Sequence, residues 1–362
     1  MPLADLLKEG ERIMIICNAC RYCEGHCAVF PAMEMRTAFP EPDLTYLANL
    51  CHGCGSCFHH CQYAPPHEFA VNVPKTFAAI RAENYKEFAW PRFLSRMFER
   101  NAIATALVAA GSLALSFLVA TRASGLTARH VGSGAFYAVV SHDLMVALFG
   151  AVALFVLAVL GVGFLRFWKH TSGGAARPAD VVRALGDALR LRYLDGGGDG
   201  CTYPQEAPSQ ARRWFHHLTF YGFLLCFAST TVAAVYDNVF GWLAPYALSS
   251  LPVVFGTAGG IGLLAGPAGL FWLKLRSDPA PNPRGSAFAM DLAFIALLFA
   301  TSLTGLALLV LRATPAMGIL LALHLGFVLA LFLTMPYGKF VHAVYRYGAL
   351  VRYSMESRCR KS

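Results

Sequence analysis

The chain has 362 residues, 56% of them apolar and only 14% charged. Soluble domains carry roughly 25% charged residues, so most of this chain is not a string of soluble domains. Its 32 Gly and 19 Pro follow no period, which excludes collagen-like and low-complexity chains. The formal net charge is +9 and unevenly spread: residues 1–100 hold 10 Lys/Arg and 11 Asp/Glu, residues 101–362 hold 20 and 10. Eight of the 11 cysteines lie between Cys17 and Cys61. A neutral, cysteine-rich head therefore precedes a long, apolar, basic body.

Within the head, taken as residues 1–80, one spacing occurs twice. Cys17, Cys20, Cys23 and Cys27 read C-x-x-C-x-x-C-x-x-x-C, and Cys51, Cys54, Cys57 and Cys61 repeat it 34 residues later. This is the ligand run of a two-cluster ferredoxin. Three cysteines at steps of three wrap one cubane, and the fourth reaches the other cluster. The expected sets are Cys17, Cys20, Cys23 and Cys61 for one [4Fe–4S] cluster, and Cys51, Cys54, Cys57 and Cys27 for the second. Zinc sites show paired C-x-x-C elements with four ligands per metal, which two octads of this form do not match. Disulfides need an oxidising compartment, and the stretch before Cys17 does not read as a secretory signal. The proline that often follows the fourth cysteine is absent, with Ala28 and Gln62 in its place. His26, His52, His59, His60 and His67 are expected beside the ligands or on the surface, because both ligand sets are full without them.

Residues 81–100 mix Tyr85, Phe88, Trp90, Phe93 and Phe98 with Arg81, Lys86, Arg92, Arg96 and Arg100. They read as an interfacial linker, with aromatics on the membrane and basic groups toward phosphates. Residues 101–345 then form a transmembrane domain. Six apolar stretches, roughly 103–120, 136–165, 215–236, 251–273, 288–311 and 316–335, can each cross a hydrocarbon core of about 30 Å. The second is long enough to tilt or project. The fourth carries Gly256, Gly259, Gly260, Gly262, Gly266 and Gly269; inside an apolar helix these indicate close helix packing. No glycine fingerprint lies between a strand and a helix, so no flavin or nicotinamide domain is expected.

Lys and Arg concentrate in alternate connections. Eight lie between spans two and three, from Arg166 to Arg213. Lys274, Arg276 and Arg284 lie between spans four and five, and the basic tail 346–362 adds more. The opposite connections hold only Arg122, Arg129 and Arg312. The count puts both termini and the head in the cytoplasm. The excess positive charge is therefore a topology signal and not evidence for nucleic-acid binding.

Ionisable residues in spanning helices are functional candidates. If the last helix continues past Pro336, His324 and His342 lie 18 residues apart on one face, five turns or about 27 Å. Such a helix would put His324 toward the outer side and His342 at the inner end. His142 opens the second span near the outer side, and His216 and His217 open the third at the inner end. Two bis-histidine b-haem sites follow: an outer one from His142 and His324, and an inner one from His342 with His216 or His217. Cys201, Cys226 and Cys359 have no spacing partners, and no role is assigned to them.

The run from Cys17 to Cys27, the run from Cys51 to Cys61, and the segment from Cys201-Thr-Tyr-Pro to Trp214-Phe-His-His-Leu-Thr-Phe-Tyr-Gly-Phe resemble the tricarballylate/citrate-utilization protein B family. The resemblance spans essentially the whole chain. It implies an inner-membrane electron carrier with iron–sulfur clusters and haem, which reoxidises the FAD of a separate dehydrogenase and delivers electrons to membrane quinone. The spanning part is also similar to haem-b subunits of the nitrate reductase and heterodisulfide reductase type. That similarity rests on His324 and His342 around Met335-Pro-Tyr-Gly-Lys-Phe-Val-His, and on a histidine six residues before Gly222, which favours His216 over His217. It leaves the organic-substrate site on the partner and no catalytic residue in this chain. Two other functions remain open: electron flow from quinol to a cytosolic acceptor, and a transporter with a redox-sensing head. The latter predicts repeats and mid-membrane polar groups that the six spans do not display. The expected fold is a membrane all-α protein: a ferredoxin-like head with two [4Fe–4S] clusters before a six-helix bundle of haem-b type.

Overall fold

A computed structural model describes residues 3–121, 126–171 and 174–359; Arg122, Arg360 and Lys361 of the charge pattern lie outside them. The described residues fold as helices, with a single isolated bridge between Cys201 and Ser209. The head comprises α1 (Leu3–Cys20), α2 (Val29–Glu34), α3 (Glu41–Leu50), α4 (Ser56–His59) and α5 (Val73–Phe88). Ile13 and Met14 of α1, Phe30 and Met33 of α2, Leu47 of α3, and Phe77 and Ile80 of α5 are fully buried and make its core. Asn72 caps α5 by accepting from the Lys75 amide at 3.1 Å, which satisfies one of the open N–H groups at a helix start.

The membrane part continues through α6 (Arg92–Met97), α7 (Asn101–Thr121), α8 (His142–Thr171), the short amphipathic α9 (Pro178–Leu189), α10 (Ala211–Asn238), α11 (Leu251–Leu275), α12 (Ser286–Leu311) and α13 (Met317–Thr334), and α14 (Val341–Cys359) follows it. Among the described residues, six helices are long and apolar enough to cross a membrane, spanning 92–121, 142–171, 211–238, 251–275, 286–311 and 317–337. Their outward faces are apolar, with Leu154 71% and Val310 78% exposed. Unpartnered leucines and valines over six long helices are the surface of a protein solvated by lipid, so this is a multi-pass membrane protein.

The glycines of the fourth span do what their spacing implies. A Cβ on Gly259 would stand 2.8 Å from the Cys226 amide nitrogen, on Gly266 2.6 Å from that of Thr219, and on Gly222 2.9 Å from the Gly259 carbonyl. Helices α10 and α11 therefore touch backbone to backbone, a contact that small residues permit in lipid.

Three features differ from the sequence-based expectation. The last span does not run on as one helix. Helix α13 ends at Thr334, a 3₁₀ turn carries Pro336, and Gly338 is extended before α14 begins. Proline removes one backbone donor and clashes with the preceding turn, so His324 and His342 stand on different helices and their five-turn register is lost. The first half of the supposed interfacial linker belongs to the head: Tyr85 and Phe88 of α5 are buried in its core, whereas Phe93 and Met97 are exposed. The basic tail is not free either. In α14, Arg352 bonds to Asp43 at 2.6 Å and to Glu356 at 2.9 Å, while Glu356 receives Arg36 of the head at 2.5 Å. Arg358 pairs with the buried Asp180 of α9.

The long second span projects as expected. Thirty residues at 1.5 Å each make about 45 Å, and the surplus enters the head. Phe167 is fully buried and stacks on Tyr345 of α14 with ring centres 5.1 Å apart. Arg166 donates to the Ala89 carbonyl at 3.0 Å. The head thus rests on α8, α14 and the connections that follow spans two and four; Asn72, for example, donates to the Ala280 carbonyl at 2.9 Å.

Candidate functional site

The cysteines fall on tight turns around three short helices. Cys17 and Cys20 close α1, Cys51 follows α3, and Cys57 lies in α4. Gly53 (φ +60°) and Gly55 (φ +88°) turn the second run in the left-handed region, where a side chain would be strained. The Gly53 amide points to the Cys51 sulfur at 3.3 Å. The buried thiols act on one another within and across the two expected sets, Cys54 on Cys23 and Cys23 on Cys57. A thiolate at Cys17 is raised to about 12 by burial and then by Cys23, Cys61 and Cys20. Burial pushes Cys57 well up, followed by Cys54, Cys51 and Cys27; for Cys27 the nearest thiols are Cys54 and Cys51. A small cavity lies among Cys27, Cys51, Cys54 and Cys57 and is closed by Phe30 and Val73. Among the described residues, no three His, Cys, Asp or Glu side chains converge on a single-ion site. Four sulfurs spread around a small cavity fit a cubane, whose iron atoms each take one thiolate.

The two sets differ in surroundings. Around the first, Tyr22 is 68% exposed, and His26 and His60 face each other with ring nitrogens 3.0 Å apart. The second is enclosed. Arg81 of α5 donates to the carbonyls of Ala48 and Cys51 at 2.7 and 2.9 Å. Arg212 of α10 reaches the carbonyls of Gly53 and His52 at 2.6 and 3.1 Å. Arg346 of α14 reaches those of Leu50 and Cys51 at 2.6 and 3.2 Å. Three guanidinium groups from three elements therefore converge on five carbonyls between Ala48 and Gly53. Burial, then Arg81, lowers Arg346 to about 9, while Cys51 pulls in the opposite direction; the group stays charged at neutral pH.

Directly beyond this clamp stand two of the histidines. His216 and His342 meet edge to face with ring centres 6.2 Å apart. Two imidazoles binding one metal at about 2 Å each put their ring centres on the order of 6 Å apart. His342 Nδ1 is 2.8 Å from the Lys339 carbonyl; an N–H donated there leaves Nε2 as the free lone pair, the usual support of a ligating histidine. Burial, then Lys339 and His216, keeps His342 well below the ordinary imidazole range and hence neutral. His216 Nδ1 is buried without a partner. These side chains suit a b-type haem. His52, partly buried, lies between the clamp and this pair and is held neutral by burial, Arg346, His216 and Arg212.

The other candidates go elsewhere. His217 turns from His342 toward Trp214 and Tyr221 and bonds to the backbone at the end of α9. His324 places Nδ1 3.1 Å from the Thr301 carbonyl and 3.3 Å from the Thr304 hydroxyl, with its ring against Gly305; this also leaves Nε2 free. His142 places Nε2 2.6 Å from the Asp237 carboxylate, to which Tyr137 donates at 2.8 Å, and Nδ1 3.2 Å from Asp143. His216 and His342 are thus brought together, whereas His142 and His324 are each held by other groups. Asp291, near the start of α12, is held by Lys274 at 2.5 Å and Lys339 at 2.9 Å.

The sequence reading missed the three clamp arginines and gave Cys201 no role. Arg81 resembled part of a basic linker, and Arg212 and Arg346 counted only as topology signals. Their common destination is a property of the fold.

Comparison with known proteins gives the same two-part division. Residues 10–87 match the family described as Citrate utilization protein B Fer4-like domain, and residues 96–362 match Citrate utilization protein B. The Citrate utilization protein B of Escherichia coli is 50% identical over 352 residues, covering 97% of this chain and 92% of that protein. No solved structure matches. The Fer4-like head, the spanning body and near full-length identity lead to one conclusion: the chain belongs to the citrate utilization protein B family.

Proposed function

We propose that this protein carries electrons from the reduced flavin of a separate FAD-dependent dehydrogenase, of the citrate or tricarballylate utilization type, to quinone in the bacterial inner membrane. The observation that carries the reading is the placement of the second cysteine set against the His216–His342 pair. When bound, two [4Fe–4S] clusters and haem b supply one-electron chemistry between a two-electron flavin and a two-electron quinone. Cys17, Cys20, Cys23 and Cys61 hold the outward centre, where exposed Tyr22 marks the face for the dehydrogenase. Cys51, Cys54, Cys57 and Cys27 hold the inward centre.

Arg81, Arg212 and Arg346 fix the loop of that centre to α5, α10 and α14. Their positive charge favours the more negative, reduced form of whatever the loop holds. His342, oriented by the Lys339 carbonyl, and His216 hold the haem at this end. The proposal keeps His324 as a ligand for a second, outer haem because its Nδ1 is tied and its Nε2 free. It does not extend to His142, whose Nε2 faces a carboxylate. The head, the Arg-rich connections and the C-terminal helix share one side, which the Lys/Arg distribution assigns to the cytoplasm.

The test uses the full-length protein in detergent. Addition of reduced flavin should develop a b-type haem absorption band, and a short-chain quinone should then bleach it. A preparation that shows no such band, or whose reduced band is unaffected by quinone, contradicts the proposal.

A further inference from the structure

Cys201 stands alone in the sequence, yet it is 1% exposed and fixed with unusual care. Its amide and carbonyl exchange hydrogen bonds with Ser209 at 3.1 and 2.8 Å. Gly200, at φ +112°, precedes it where a Cβ would stand 2.7 Å from the Ser209 backbone. The segment so closed lies over the second cysteine run. The Thr202 hydroxyl meets His59 Nδ1 at 2.8 Å, and His59 Nε2 reaches Asp278 at 3.3 Å. A Cβ on Gly55 would stand 2.6 Å from the Thr202 carbonyl. The connection between α9 and α10 therefore presses one thiol onto the inward cysteine set, where Cys201 and Cys54 pack in one buried cluster with Leu191, Leu194 and Tyr203. Cys54 is also 3.7 Å from the Ser56 hydroxyl.

We propose that Cys201 is a positioning residue of the inward cluster: its S–H donates to the Cys54 sulfur and raises the reduction potential of that cluster above that of the outward one. Hydrogen bonds to cluster sulfurs stabilise the reduced state, which carries more negative charge, and a thiol can donate one without displacing Cys54 from iron. This rests on the reading that the two cysteine sets hold clusters, and is independent of the direction of electron flow.

The experiment is a redox titration of the full-length, cluster-loaded protein monitored by electron spin resonance. Wild type, Cys201→Ala and Cys201→Ser are compared, and Cys57→Ala identifies the inward signal as the one it removes. Cys201→Ala should retain both clusters and shift the reduced-to-oxidised ratio of the inward one about tenfold toward oxidised, a fall of 59 mV for one electron. The outward signal should stay in place. Cys201→Ser, which keeps a donor, should titrate close to wild type. Unchanged potentials in Cys201→Ala overturn the proposal, as does loss of a cluster, which would make Cys201 a ligand. Cys201→Ser behaving like Cys201→Ala also overturns it. Absence of [4Fe–4S] signals in wild type would instead overturn the cluster reading beneath it.

Discussion

The two cysteine runs have the same spacing and different neighbourhoods. The first closes α1 beside exposed Tyr22. The second is enclosed by arginines from the head, α10 and α14, and lies next to His52, His216 and His342. Spacing decides which sulfurs share a centre; the surroundings decide what each centre is next to. The first set lies beside an exposed face, and the second lies against α10 and α14.

The comparison breaks most clearly if one set is destroyed. Loss of an outer-shell partner alone costs about 10–100-fold in metal affinity, and loss of a ligand exceeds that. Cys57→Ala should therefore remove the inward cluster and abolish haem reduction by reduced flavin, while iron and spin quantitation still find the outward cluster. Haem reduction at an undiminished rate would mean that the inward set is not on the route.

His342→Ala tests the same junction from the membrane side. It should eliminate the haem absorption of the inner site and leave both cluster signals unchanged, as optical and spin-resonance spectra of one sample will record. A smaller effect belongs to the fastening between head and tail. Glu356 accepts from Arg36, Arg352 and Tyr46, and hydrogen bonds to charged groups contribute about 1.5–3 kcal/mol. Glu356→Gln should lower the stability of the head by roughly that amount, read as earlier thermal loss of cluster absorbance. The smallest intrinsic effect is expected at the outward face. Tyr22→Ala should change stability by no more than about 0.5 kcal/mol and leave cofactor content unchanged. It should raise the KM for the flavoprotein, because truncating an interface aromatic costs about 1–2 kcal/mol or more.

The sequence made the Fer4-like head legible because ligand spacing is local and nearly independent of fold. It also made six spans legible, because the bilayer imposes a length and a composition. The packing of Gly259 and Gly266 was readable for the same reason. The His324–His342 register was not, because it assumed a helix continuous through Pro336, and the turn with extended Gly338 separates the two residues. The Arg81, Arg212 and Arg346 clamp was invisible, because residues so distant in sequence converge only once α14 has crossed the head. Tyr85 and Phe88 looked interfacial by composition, yet periodicity alone does not distinguish a lipid face from the core of an adjoining domain. His142 shows the same limit: its depth was readable, but its partner Asp237 comes from the far end of α10.

The most direct measurement is a combined optical and electron-spin-resonance redox titration of the purified full-length protein, with His342→Ala in parallel. The account predicts two [4Fe–4S] signals and a b-type haem in wild type, with both clusters retained and the inner haem lost in the variant. A wild type with fewer than two clusters, or a variant that retains all of its haem, would contradict it.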